Sequence, residues 1–105
     1  MIVRRFTARA SAENAKAYYT FFHGTLAPQL RNIPGHRGAL VLSRETRRGD
    51  VRITVLTFWE SMDAITRFAG DKPARAVVEP EARALLDEFD GDVTHHAVEV
   101  NTLGF

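Results

Sequence analysis

The stretch Val51-Arg-Ile-Thr-Val-Leu-Thr-Phe-Trp59-Glu-Ser61 decides the fold. In an extended chain alternate side chains point to opposite faces. Val51, Ile53, Val55, Thr57 and Trp59 therefore form one row, and Arg52, Thr54, Leu56 and Phe58 the other. Both rows are largely apolar, and the strand runs without a loop into Ser61, a residue type that caps helix N-termini. A chain of 105 residues is expected to form one domain, residues 1–105, with one hydrophobic core. Its own helices can cover one face of a sheet. The other face needs a second cover, most simply another copy of the chain, so a homodimer is expected.

Upstream, residues 2–10 alternate as Ile2, Arg4, Phe6 and Ala8 against Val3, Arg5, Thr7 and Arg9, the pattern of a strand with one buried face. Ser11 offers an N-cap, and Ala15, Tyr18, Tyr19, Phe22, Leu26, Leu30 and Ile33 then recur at helical spacing. Pro28 falls inside this helix and its ring presses on the carbonyl of Gly24, which predicts a bend or break. Pro34-Gly35-His36-Arg37-Gly38 ends the helix and turns the chain. Residues 38–48 read as a second strand, joined to the third through Arg47-Arg48-Gly49-Asp50 as an antiparallel hairpin.

Downstream, Ser61 caps a short helix with Ile65, Phe68 and Ala69 on one face and Gly70 at its C-terminal end. Pro73 and Pro80 suit first-turn positions, which predicts short helical pieces over 73–78 and 80–88. Asp92 to Val100 reads as a last strand, with Thr94, His96, Val98 and Val100 on one face. Residues 101–105 form a tail, either loosely held or reaching a partner subunit. The order strand, helix, two-stranded hairpin, helices, strand defines an α+β protein. It predicts a ferredoxin-like βαββαβ sandwich, with an antiparallel sheet and helices on one face.

Composition narrows the chemistry. There is no cysteine, so disulfides, thiolate catalysis and zinc-thiolate or iron–sulfur sites are ruled out. No membrane span or signal peptide is readable, and a cytoplasmic location is expected. Fourteen basic and thirteen acidic residues give a formal net charge of +1, which is not the footprint of a nucleic-acid binder. Nucleophile triads, Gly-rich phosphate loops and metal-ligand spacings are missing, so no metal site is expected.

Several segments together are similar to one known family: Ile33-Pro-Gly-His-Arg-Gly38 after a long helix, Val55-Leu-Thr-Phe-Trp-Glu-Ser-Met-Asp-Ala-Ile65, Phe68-Ala-Gly-Asp-Lys-Pro73, and Ala76-Val-Val-Glu-Pro-Glu81. The chain resembles, over nearly its whole length, the antibiotic biosynthesis monooxygenase family. That resemblance implies the dimeric α/β-barrel form of the ferredoxin-like fold. It also implies oxidation of a small aromatic phenol or quinol with no cofactor, neither metal nor flavin. A non-catalytic ligand-binding or stress-related dimer is the alternative, with haem binding or degradation a third reading. The tryptophan that lines the reaction pocket in some members matches Trp59. The asparagine that polyketide-type oxygenases carry four residues earlier is Val55 here. Haem-degrading members place their ligand histidine after the tryptophan, whereas residues 61–91 contain no histidine.

Oxygenation without a cofactor needs a substrate that becomes an electron-rich anion, a group that takes its proton, and a pocket that excludes water. Histidine titrates near neutrality, which makes His23 the candidate base. At four residues from Tyr19 it shares that phenol's helical face. Trp59 is the second candidate catalytic residue. Tyr18, Tyr19, Phe22 and His96 are candidates for contacting an aromatic substrate, and an inward-facing Arg4, Arg5 or Arg52 would stabilise a phenolate. His95 and His96 are adjacent on a strand and point to opposite faces, so only one of them can face a helix-covered pocket.

Overall fold

Strands β1 (Ile2–Ala10) and β3 (Val51–Trp59) form the centre of the sheet in the computed structural model, which describes residues 1–104. They pair antiparallel with Phe6 opposite Val55 and Ala8 opposite Ile53. Strand β2 (His36–Glu45) lies on the outer side of β3, and the short strands β4 (Glu88–Phe89) and β5 (Thr94–Ala97) share the far side of β1. This is the ferredoxin-like α+β arrangement, with its fourth strand divided in two.

The two rows of β3 meet different surroundings. Ile53 and Trp59 are fully buried, and Val55 and Thr57 nearly so, under the helices. On the other face Leu56 is half-buried, while Leu40 and Leu42 of β2 are 39% and 45% exposed. The helices cover one face and leave the other as a leucine-bearing surface.

Both predicted caps form. The Ser11 hydroxyl accepts the Asn14 N–H at 3.1 Å and opens helix α1 (Ala12–Phe21), and Ser61 does the same for Ala64 at 3.2 Å and opens α3 (Met62–Ala69). Each such cap contributes about 1 kcal/mol. Gly70 follows α3 with φ 78°.

Pro28 has a subtler effect than a break. Its missing N–H cannot serve the ladder, and the chain passes from α1 through a π-helical segment, Phe22–Leu26, into α2 (Ala27–Arg31). The Ala27 N–H reaches back five residues to the Phe22 carbonyl.

Four boundaries differ from the sequence reading. The second strand, expected over 38–48, spans His36–Glu45, since His36 already pairs with Trp59 and the Thr46 N–H turns to the Asp50 carbonyl. Residues 73–78 form no helix, because their backbone is engaged elsewhere: Ala76 N–H donates to Gly91 at 2.8 Å, Val93 N–H to Ala74 at 2.7 Å, and Arg75 bridges to Asp92. The helix expected over 80–88 is only α4 (Pro80–Arg83), since residues from Glu88 on are drawn into pairing with β1. The last strand spans Thr94–Ala97 rather than 92–100, although Val98 N–H still reaches the Met1 carbonyl at 3.0 Å. Residues 101–104 are exposed, and the part of the expected tail at Phe105 lies outside the described residues.

Candidate functional site

Neighbouring residues on a helix diverge by about 100°, and this separates the aromatic run of α1 between two spaces. Tyr18 and Phe22 turn inward and line a cavity of about 60 Å³ between helices and sheet. Tyr19 and His23 turn outward and line an open groove of about 660 Å³ between the helix and β2. Phe22 touches both spaces.

The interior cavity is apolar apart from Arg4, Tyr18, Thr57 and Glu79. Arg4, on the helix-covered face of β1, is only 4% exposed. Its guanidinium donates to the Pro73 carbonyl, to the Arg75 carbonyl at 2.7 Å and to His95 Nε2 at 3.0 Å. A guanidinium has no acceptor, so that His95 nitrogen carries the lone pair. The cation also lies 5.6 Å from the Phe68 ring centre, within cation–π range. Among the described residues Arg4 has no carboxylate ion pair, and burial brings its pKa down to about 10. It stays charged at neutral pH. Burial pushes the Glu79 carboxyl above the ordinary carboxylate value, with Glu81 adding to the rise. Burial, reinforced by Glu79, raises the Tyr18 phenol, which remains protonated. A retained cation, a neutral phenol and a carboxyl of raised pKa therefore share one apolar cavity.

Trp59 lines neither space. It is fully buried, with its indole N–H donated to the Thr57 hydroxyl at 2.8 Å. One side stacks on Phe68 at 5.5 Å and the other meets His36 edge-on at 4.8 Å. It forms the wall behind both spaces. His96 lies opposite Val3 on the uncovered face, exposed and bonded to Thr94 at 2.8 Å, and it is His95 that turns to Arg4. Burial, then the Arg4 charge, then His96 hold the His95 pKa below its usual value. Arg5 and Arg52 are exposed. The candidates thus fall into four places: Tyr18 and Phe22 at the cavity, Tyr19 and His23 at the groove, Trp59 between them, and His96 across the sheet. Glu79 was not singled out by the sequence reading. The one signal for it was an acid set between Val77-Val78 and Pro80.

The chain thus has the ferredoxin-like α+β fold, with a cavity between helices and sheet. It is similar in structure to a Bacillus cereus protein described as an antibiotic biosynthesis monooxygenase, at a TM-score of 0.69 and 18% identity over 100% of this chain and 97% of that one. A Deinococcus radiodurans protein of the same description aligns at a TM-score of 0.61 and 18% identity over 99% and 100%. MhuD of Mycobacterium tuberculosis, a haem degrader with two haems bound in its active site, aligns at a TM-score of 0.56 and 22% identity over 94% and 97%. No protein-family model and no curated protein matches the chain. Among the described residues no helix is long and apolar enough to cross a membrane.

Proposed function

We propose that this protein is a monooxygenase-like enzyme that oxidises a small aromatic phenol or quinol at the interior cavity without a cofactor, and that it works as a homodimer. The observation that carries this reading is the Arg4, Tyr18 and Glu79 constellation. A buried cation without a carboxylate partner favours an anion beside it, and a carboxylate whose pKa is raised by burial is a stronger base once ionised, suited to take a substrate proton. For an anthrone-type substrate, Glu79 removes the proton and Arg4 faces the resulting oxyanion. The carbanionic carbon joins O2 as a peroxide anion, which takes the proton back from Glu79, and loss of water from the resulting hydroperoxide leaves the carbonyl product. One oxygen atom enters the product and one leaves as water. A benzene ring occupies an engineered cavity of about 150 Å³, so substrate binding displaces the wall formed by Val77 and its neighbours, which has no helix to stiffen it.

Among the described residues no histidine lines this cavity to ligate a haem iron. The likeness to MhuD shows the fold and does not by itself carry that ligand to this chain.

Oxygen uptake measured against a panel of anthrones and quinols tests the reading. Turnover is expected in the wild type, rising with pH as Glu79 ionises, and Glu79→Gln is expected to lower it by about 10²-fold or more. Thermal stabilisation by these compounds with no oxygen consumed would instead mark a ligand-binding dimer. Subunit association rests on the uncovered leucine surface, and Leu42→Asp is expected to give monomer or aggregate in sedimentation. An unchanged dimer in that variant would remove the basis for pairing through this face.

A further inference from the structure

The outer groove carries a chemistry of its own. Four of its lining residues are basic, His23, Arg31, His36 and Arg37, and no Asp or Glu lines it. Arg37 is met at its exposed end by Glu60 at 3.0 Å, whereas Arg31 makes no ion pair among the described residues. The remainder of the lining is mainly apolar, with Ala27, Ala39 and Val41 between the rings of Tyr19 and Phe22. Its volume of about 660 Å³ lies within the range of small-molecule sites.

Two irregularities of the backbone converge on this groove. The π-helical segment Phe22–Leu26 presents His23 to it, and such segments concentrate at functional sites. Across the groove, β2 carries a bulge between His36 and Gly38, which inserts Arg37 as an extra residue against β3. Ordinary alternation would send Arg37 to the opposite face from His36, but with the bulge both line the groove. His36 contributes one more sign. Its Nδ1 is buried with no hydrogen-bond partner, a state that costs stability unless something satisfies it.

We infer that the groove between the α1–α2 helix and β2 is a second binding site, for an aromatic carboxylate. The planar body lies along Ala39 and Val41 against Tyr19 and Phe22. The carboxylate pairs with Arg31 and Arg37, whose planar guanidinium groups match it. The site is separate from the proposed oxidation, since Trp59 and Phe22 stand between groove and cavity.

Calorimetric titration of the full chain with 2-naphthoate tests this, accompanied by amide chemical-shift mapping. The expected result is one saturable site per chain, with shifts concentrated in residues 22–31 and 36–43. The neutral methyl ester is expected to bind at least about ten-fold more weakly, and Arg31→Gln, a change at an exposed side chain, to weaken the acid by roughly ten-fold. The inference is overturned by absence of saturable binding, by equal affinity of acid and ester, or by unchanged affinity in Arg31→Gln. It is also overturned by shifts confined to the surroundings of Arg4, Tyr18 and Glu79. A change in the sedimentation of Arg31→Gln would assign the groove to subunit contact instead and likewise overturn it.

Discussion

Trp59→Ala is expected to lower the unfolding free energy by about 3–5 kcal/mol, the range for truncating a large aromatic in a packed core. Trp59 is fully buried and holds three things in place: Phe68 of α3 by stacking, His36 of β2 by its edge, and the Thr57 hydroxyl by its N–H. Removing it opens a void where β2, β3 and α3 meet, and the Thr57 hydroxyl loses its donor. Against a total stability of about 5–15 kcal/mol, such a loss leaves a domain of this size marginal. Trp59→Phe keeps most of the ring and forfeits the hydrogen bond, for about 1 kcal/mol. Urea denaturation of the two variants checks the ordering. Equal and small losses would mean that the surroundings of Trp59 collapse around the gap, or that the side chain carries less packing than its burial indicates.

Gly35→Ala is expected to be comparably damaging for a different reason. Gly35 sits in the turn before β2 with φ 91°, a region that L-residues avoid. A Cβ there would lie 2.5 Å from the Cβ of Ala64, which is 1% exposed inside α3. Neither atom can step aside by changing a rotamer, so turn and helix must separate. The same turn is fastened to the β3–α3 junction by Glu60 N–H to the Gly35 carbonyl at 2.8 Å, and to α3 by Arg67 to the Pro34 carbonyl at 3.2 Å. Backbone strain of about 1–3 kcal/mol and overpacking of about 1–3 kcal/mol together place the loss near 4 kcal/mol. The double variant Gly35→Ala with Ala64→Gly restores the space but not the backbone strain, so it should recover at most about half of the total loss, less the roughly 0.5–1 kcal/mol that a glycine costs inside a helix. Thermal unfolding of the single and double variants checks this, and the absence of any recovery would show that strain alone sets the cost.

Much of the fold was legible in the sequence because periodicity and punctuation coincide there. The alternation in 2–10 and 51–59 and the serines at 11 and 61 each point to one local structure, and each forms it. Gly70, expected as a left-handed cap, ends α3 at φ 78° and ψ −153°, outside the left-handed helical conformation. The loop over 73–78 was not legible. Pro73 and Pro80 signal helix starts, but the carbonyls of Pro73 and Arg75 serve Arg4, far earlier in the chain, and the Ala76 N–H serves Gly91. No local pattern reports a long-range obligation of that kind. The site was half legible for the same reason. Helical spacing shows that Tyr18 and Tyr19 must diverge, yet which of them meets a cavity depends on where the helix rolls against the sheet. Glu79 lies outside any periodic element, so only its burial identifies it.

The π-helical segment has a consequence that reaches along the whole helix. Tyr18, Phe22, Leu26 and Leu30 follow one another at steps of four, and in an unbroken α-helix four residues overshoot a full turn by about 40°. Over the three steps the error would reach about 120°, enough to swing Leu30 from the core toward water. Yet Leu26 and Leu30 are as deeply buried as Tyr18 and Phe22. The wider turn at Phe22–Leu26 holds back roughly one residue's rotation and resets the phase. The azimuth of every side chain beyond it, and so the division of the helix into an inward and an outward face, depends on that single delayed residue.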